Sequence, residues 1–437
     1  MDQRPDVIPD SVRRVSTNNH PWHWSRRLGF RFVFLLVLLL VVPFPFDYRG
    51  FGGPIGRWWE KLWEPMVPWI ATNVLRIDTA FPRFGGAETT WDYIQTGASL
   101  VLAVVGAVAW VLIDPRRTDD RRLDQWLRIY LRLFLSTVLF AYGWGKVLPV
   151  QFPALGPERL SETFGEASPN GLLWAFMGYS PFYMAFSGAA EVAVGVLISF
   201  RRTLTLGAVI GIGVMSNVVA MNFAYDVGVK LGSIFYLLAL IYLAAPDTMR
   251  LANVLVLNRP TQARELSPPV ARSFTQRLIV IVPGLLAAFF FARTGVTSWT
   301  AAHERGQLAP HPPLYGLYDV ESVVRNGARW SLVPNDTTLW SRVAIGQLRS
   351  AVRRTSGTLD FYSAVVDTTA RSIRFTSRDD RKDVVALAFE RADSGLLVLR
   401  GRVGGDSTEL WLRRRDETRY RLVSHPFHWI QNTAENR

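Results

Sequence analysis

Chemistry in this 437-residue chain has few places to start. The richest is a set of polar and aromatic side chains set into apolar runs. Tyr142, Trp144 and Lys146 close one run, in Tyr142-Gly143-Trp144-Gly145-Lys146. Glu191 interrupts a second, Asn217 and Asn222 lie along a third, and Asp226 and Lys230 sit in the turn that follows. A carboxylate facing an ammonium in a low-dielectric setting can do three things. It can clasp two helices, grip a polar ligand or pass a proton. Neighbouring Tyr and Trp rings can stack on a flat ligand. Burying such a charge at bilayer depth costs at least ~2.5 kcal/mol, so it needs a partner or a task. Lysine usage sharpens the point. The chain has 45 Arg and only four Lys (Lys61, Lys146, Lys230 and Lys382), and two of those four fall in this set. A compact, titratable ammonium differs from a guanidinium in what it can hold and release.

The elements that position these residues are membrane-spanning helices. A span needs roughly 20 largely apolar residues to cross about 30 Å of hydrocarbon. Seven runs qualify as candidates: 28–45, 92–113, 129–148, 181–199, 203–222, 230–245 and 276–293. The sixth is short, and snorkelling of Lys230 would extend it outward. Helical rise places Glu191 about 15 Å inside its span and Asn217 about 7 Å below the outer end of its own. Lys146, Asn222, Asp226 and Lys230 fall near the outer surface. If the third to sixth spans form one bundle, the whole set converges on a polar cavity open to the outer side. Glycines 188, 195, 207, 211 and 213 fit close helix packing. Gly211-Ile212-Gly213 follows no strand, which removes a dinucleotide loop.

Lys and Arg counts orient the chain. Segments 1–27, 114–127, 201–202 and 246–277 carry five, four, two and five, whereas 46–90, 149–180 and 223–229 carry five, one and none. The first set is therefore cytoplasmic, and the C-terminal part lies outside. This asymmetry accounts for the net charge of +13 without nucleic acid, for which no motif is present. With no cysteine, disulfides, thiol relays and thiolate metal sites are excluded. None of the six histidines (His20, His23, His303, His311, His425, His428) lies in an expected span, which argues against an intramembrane haem. Ser25-Arg26-Arg27 before the first run resembles a twin-arginine signal. Pro43-Phe44-Pro45 follows rather than a small-residue cleavage site, so an uncleaved helix is expected.

Two further regions complete the plan. Residues 54–76 read as an amphipathic helix on the outer interface, with Trp58, Trp59, Trp63 and Trp69 at headgroup level. The mean hydropathy of +0.12 is too low for an all-membrane protein. The C-terminal part supplies the balance with short alternating stretches: Trp340–Gln347, Leu359–Val366, Ser372–Thr376, Val384–Glu390, Leu396–Arg402 and Glu409–Arg413. Seven or eight such strands predict a small antiparallel barrel or sandwich. The expected order is a cytoplasmic tail (1–27), two accessory spans with the interfacial helix (28–127) and a four-helix core (128–250). A loop with the seventh span (251–294), a linker (295–325) and the outer β domain (326–437) follow.

Residues 128–250 resemble the DoxX-like family of membrane proteins. The resemblance rests on Tyr142-Gly143-Trp144-Gly145-Lys146, Gly188-Ala189-Ala190-Glu191, Phe200-Arg201-Arg202-Thr203 and Asn217 through Leu231. The stretches 151–174 and His425 through Asn432 are similar to a larger subgroup with extra helices and an appended outer domain. The resemblance implies a polytopic α-helical bundle with a four-helix core in a bacterial cytoplasmic membrane. Some relatives are subunits of thiosulfate:quinone oxidoreductase or of other membrane redox complexes. For this chain it implies that Lys146 or Asn222 hydrogen-bonds a quinone oxygen, that Glu191 shuttles a proton, and that Tyr142 and Trp144 stack on the ring. Having no cofactor motif of its own, the chain would need a protein partner to supply electrons. The other reading is a non-enzymatic module that binds membrane lipid or a small solute, or whose β domain recruits a partner.

Overall fold

The computed structural model describes residues 21–45, 54–77, 86–117, 119–262, 273–380, 382–393, 395–425 and 429–430. The N-terminal tail to residue 20 and most of the stretch from His425 to Asn432 lie outside them. The chain divides into two compact units, 1–135 with 228–285 and 136–227 with 286–437.

The first unit contains α1 (Trp24–Val41), α2 (Pro54–Asn73), α3 (Thr90–Ile113) and the first half of α4 (Arg121–Val147). α1 packs along α3. The arginines at the head of α1 are absorbed by groups at the far end of α3. Arg31 is fully buried, pairs with buried Asp120 at 3.0 Å and donates to the Trp110 carbonyl at 2.9 Å. That carbonyl belongs to the last turn of α3, where the helix dipole favours a cation. Arg27 donates to the carbonyls of Pro115 and Arg117. α2 forms as expected and is amphipathic. Trp63, Val67 and Ala71, spaced four apart, are buried against Trp91 and Ile94 of α3. Trp63 therefore belongs to a packed core rather than to a headgroup belt. Trp58 and Trp69, on the opposite side, are exposed.

The same unit holds α9, and here the sixth expected span is longer than its apolar run. α5 (Pro157–Ser161), α6 (Pro169–Tyr179), α7 (Pro181–Ser199) and α8 (Leu204–Ala224) intervene in sequence. α9 (Lys230–Ala244) then continues through a 3-10 turn at Ala245–Asp247 into α10 (Thr248–Leu255). Extra length thus comes from the C-terminal end, not from Lys230. At the other end Glu88 caps the helix, its carboxylate accepting from the Leu231 and Gly232 amides at 2.8 Å each.

Among the described residues, five helical stretches are long and apolar enough to cross a membrane: Thr90–Ile113, Pro181–Ser199, Leu204–Ala224, Lys230–Leu255 and Arg277–Glu304. The first and third expected runs are also helical, as α1 and α4. Arg26, Arg27 and Arg31 in α1, and Arg121, Arg122, Asp124, Arg128, Arg132 and Lys146 in α4, keep them out of the apolar class. α11 (Ser273–Glu304) runs eleven residues past the expected end of its span at 293.

The second unit ends in the β domain. Its strands are β1 (Gly316–Arg325), β2 (Ala328–Trp330), β3 (Trp340–Ile345), β4 (Ser350–Arg354), β5 (Leu359–Asp367), β6 (Ser372–Ser377), β7 (Val384–Arg391), β8 (Leu396–Val403) and β9 (Asp406–Arg415). All pair antiparallel. β1 is followed around the wall by β3 to β9 in sequence order, and β9 closes on β1. The result is an eight-stranded barrel, with β2 as a short flap on the second half of β1. Alternate residues fill the inside. Tyr318, Val343, Val352, Ile373, Phe375, Leu387, Leu399 and Leu412 form one core, as expected for a barrel of this size. The expected linker at 295–325 shrinks to 305–315, because its first third continues α11 and its last third is β1.

Candidate functional site

The structure brings together three of the eight sequence-identified residues. Lys146, one residue from the end of α4, and Glu191, in the middle of α7, meet in a buried ion pair. The ammonium donates to both carboxylate oxygens, at 2.8 and 2.7 Å, and both side chains are almost fully enclosed. Tyr142 lies one turn before Lys146, and its ring centroid is 5.6 Å from the ammonium nitrogen. The end of α4 is therefore level with the middle of α7.

Glycine makes this approach possible. A Cβ at Gly143 would stand 2.7 Å from the Gly188 carbonyl oxygen. One at Gly188 would stand 2.5 Å from the Gly143 carbonyl oxygen and 2.6 Å from the Lys146 Cβ. Only backbones stripped of side chains can approach so closely. Further along, Gly195 faces Phe140. The Ser199 hydroxyl donates to Ser136 at 2.9 Å and to the Gly195 carbonyl at 2.7 Å. Gly207 meets Ile198 across the turn, which makes α7 and α8 a tight hairpin. Gly213 has nothing within 4 Å, so it takes no part in the packing expected of it.

Trp144, on the same helix as Lys146, does not face the pair. Two residues separate Tyr142 from Trp144, a rotation of about 200° around the helix. Trp144 accordingly faces α11, with its ring 5.2 Å from Phe291 and close to Gly295. Asn217 and Asn222 are five residues apart, about 140° around α8. Asn222 is buried and Asn217 is exposed. Asp226 is exposed in a left-handed turn at φ 51°, just past the end of α8. Lys230 opens α9 in the first unit. The linear estimate of depth ignored rotation around each helix, and rotation turns Trp144 from Tyr142 and Asn217 from Asn222.

Sequence reasoning missed a second charged region, in the same unit, where the β domain docks. α5 lies against β1, β3 and β4. Arg353 of β4 holds Glu166 with both guanidinium nitrogens, at 3.0 and 2.7 Å, and donates to the Ser161 carbonyl. These hydrogen bonds hold the Glu166 carboxyl well down, to about 2. Gln307 donates to the Phe152 carbonyl at 2.8 Å, and its amide to the Pro149 carbonyl at 3.0 Å. Glu158 is different. It is buried between Gly156 and Gly346, where any Cβ would stand 2.4 Å from its Oε2. That oxygen has no hydrogen-bond partner among the described residues. Burial pushes its carboxyl up, against the opposing pull of its own backbone amide, Arg349 and Arg159. In sequence, Glu158 gave no signal beyond an acid in a loop.

Fold and site together define a class: a helical protein of membrane type with a closed antiparallel barrel at its C-terminal end. Over 113 residues, 26% of this chain and 71% of the other, the sequence is 38% identical to the uncharacterized protein YwoB of Bacillus subtilis (strain 168). The chain belongs to the same family as YwoB. No protein-family model matches it, and no solved structure matches it.

Proposed function

We propose that this chain is a non-enzymatic binding module of the bacterial cytoplasmic membrane, whose helices anchor a barrel that meets its ligand or partner on the outer side. The observation that carries this reading is the Lys146–Glu191 pair. Each charge is neutralised by the other at two hydrogen bonds, and the contact is set by facing glycines, which is the construction of a clasp. The outward placement rests on the excess of Lys and Arg in alternate segments, with α1 and α4 crossing as well as the five apolar stretches. The barrel's dock onto the 149–166 segment of its own unit keeps it close to the helices that carry it. Membrane lipid is then the surrounding medium, and the resemblance to DoxX-like proteins becomes a statement about the ancestry of 128–250.

A quinone-binding, redox-associated role is the second reading, and one observation favours it. The ammonium of Lys146 has three N–H groups, of which Glu191 takes two. The third, beside the part-exposed Tyr142 ring, suits a carbonyl oxygen. Lys146 would hold that oxygen and Tyr142 would flank the ring. A quinone carries electrons between proteins, so a partner would have to deliver them.

A double substitution separates the two. Lys146→Met alone leaves Glu191 as a buried unpaired charge, whereas Lys146→Met with Glu191→Leu removes both. Gently extracted protein would be examined by native mass spectrometry with organic extraction. A clasp predicts no stoichiometric quinone in the wild type and a stable double variant. A quinone bound one-to-one in the wild type and lost from the stable double variant would replace the module reading by the redox one.

A further inference from the structure

The second unit contains a cavity of about 350 Å³ at the end of the barrel where β1 begins. Its walls come from the linker residues His311–Tyr315, from Tyr318 of β1, from the β7–β8 turn and from Arg414 of β9. His311 and Tyr315 are stacked, with ring centroids 3.9 Å apart and planes within 15°. Leu396 and Leu397 add apolar surface.

Many arginines of the barrel wall, Arg325, Arg342, Arg353, Arg354, Arg400 and Arg413, are held in ion pairs, though among the described residues Arg374 and Arg402 are not. Arg391 and Arg414 line the cavity and have no ion pair among the described residues. Both lie close enough to Tyr318 to oppose the upward push that burial gives its phenol. That hydroxyl is occupied, donating to the Leu314 carbonyl at 3.0 Å. Two carboxylates are near. Asp393 is engaged, accepting from the Gly395 amide at 2.7 Å and standing 3.7 Å from Arg413. Glu417 is near Arg414 and His311, and burial pushes its carboxyl up against their opposing pull. Two exposed guanidiniums with no carboxylate of their own, beside a stacked aromatic wall, are a receptor for an oxyanion on an apolar or flat body.

We propose that this cavity binds an organic phosphate, with Arg391 and Arg414 holding the oxyanion and the His311–Tyr315 stack and Leu396 contacting the attached body. The proposal deepens the module reading by naming its site and ligand class, and rests on it. The source can be a soluble phosphate ester or the headgroup of an anionic phospholipid. His311 is seven residues beyond the end of α11 at Glu304, which keeps it within ~25 Å of that helix end.

The test uses the full chain in nanodiscs, with phenyl phosphate and inorganic phosphate as soluble probes. In phosphatidylcholine discs, phenyl phosphate should bind, and Arg391→Gln or Arg414→Gln should each weaken it roughly tenfold. Leu396→Glu, which adds a carboxylate to the wall and keeps both arginines, should weaken it too. Arg329→Gln, in β2 beside the far end of β1, should leave binding unchanged. In discs that also contain phosphatidylglycerol, selective retention of that lipid by the wild type, lost in Arg391→Gln/Arg414→Gln, would identify a headgroup as the source. If phenyl phosphate and phosphatidylglycerol bind the double variant as they bind the wild type, or neither binds the wild type, the proposal is overturned. So is it if inorganic phosphate binds as tightly as phenyl phosphate, since the aromatic wall would then do nothing. Such a failure leaves the module reading standing, because the Lys146 and Glu191 variants test that separately.

Discussion

Two buried carboxylates of the second unit, Glu191 and Glu158, are treated in opposite ways. Between α4 and α7, Glu191 is matched oxygen for oxygen by Lys146. At the barrel dock, Glu158 is enclosed by two glycines and one oxygen is left without a partner. The contrast follows from what surrounds each group. Inside a helix pair there is no water to stabilise a lone charge, so the countercharge must be built in. At the dock a carboxyl can take a proton, so an imperfect site survives. The helical contact is therefore fixed by charge matching, while the dock contains a group whose cost depends on acidity.

The largest effect should come from breaking the match. Lys146→Met or Glu191→Leu alone should destabilise the protein by about 3–5 kcal/mol, and the double substitution should recover most of that. Denaturant titration in detergent reads both. An additive double variant would mean that the two residues act independently, and the clasp would be wrong. Next in size is the glycine contact. Gly188→Ala forces a methyl against the Gly143 carbonyl and should cost roughly 1–3 kcal/mol. Gly213→Ala, with open space around it, should be neutral or stabilising by up to ~1 kcal/mol.

The dock supplies the smaller effects, and they have opposite signs. Glu158 has its folded-state carboxyl raised, so the folded state is disfavoured when that group is charged and gains stability as pH falls through its raised value. Glu158→Gln should stabilise the protein at neutral pH by roughly 1 kcal/mol, read as a higher thermal midpoint, and the gain should fade on acidification. Glu166 has its carboxyl lowered to about 2 from an ordinary 4.5. Its contribution is complete above about 4.5 and is lost as pH falls towards about 2. Glu166→Gln should therefore flatten the acid limb of a midpoint-against-pH curve between those values. Proteolysis in the 305–315 linker offers a second readout of the same loosening.

The two regions also differ in how far the sequence revealed them. Apolar runs marked the helices, and period-2 alternation marked β5 to β9 closely, because both signals are local. The Lys146–Glu191 pair was legible as a set of rare charges but not as a bond, since its partners are 45 residues apart. Trp144 and Asn217 were grouped with their neighbours by depth alone, and helical rotation turns Trp144 from Tyr142 and Asn217 from Asn222. β1 was hidden because Pro310, Pro312, Pro313 and Gly316 precede or open it, which reads as linker. Trp63 read as a belt residue because four tryptophans in one segment suggest an interface. Only the stripe at 63, 67 and 71 shows that it faces inward.

Closure of the barrel limits how a partner can be recognised. β1 is hydrogen-bonded on one side by β9 along its length, and on the other by β3 and then β2. Among the described residues, the open sheet edge is the outer side of the three-residue β2. Three residues are too few to template an added strand against a stable register. Backbone pairing, the commonest way for a sheet to capture an extended peptide, is thereby denied to this domain. The same closure protects it from edge-to-edge association with its own copies. Whatever the barrel recognises, it must read with side chains and turns.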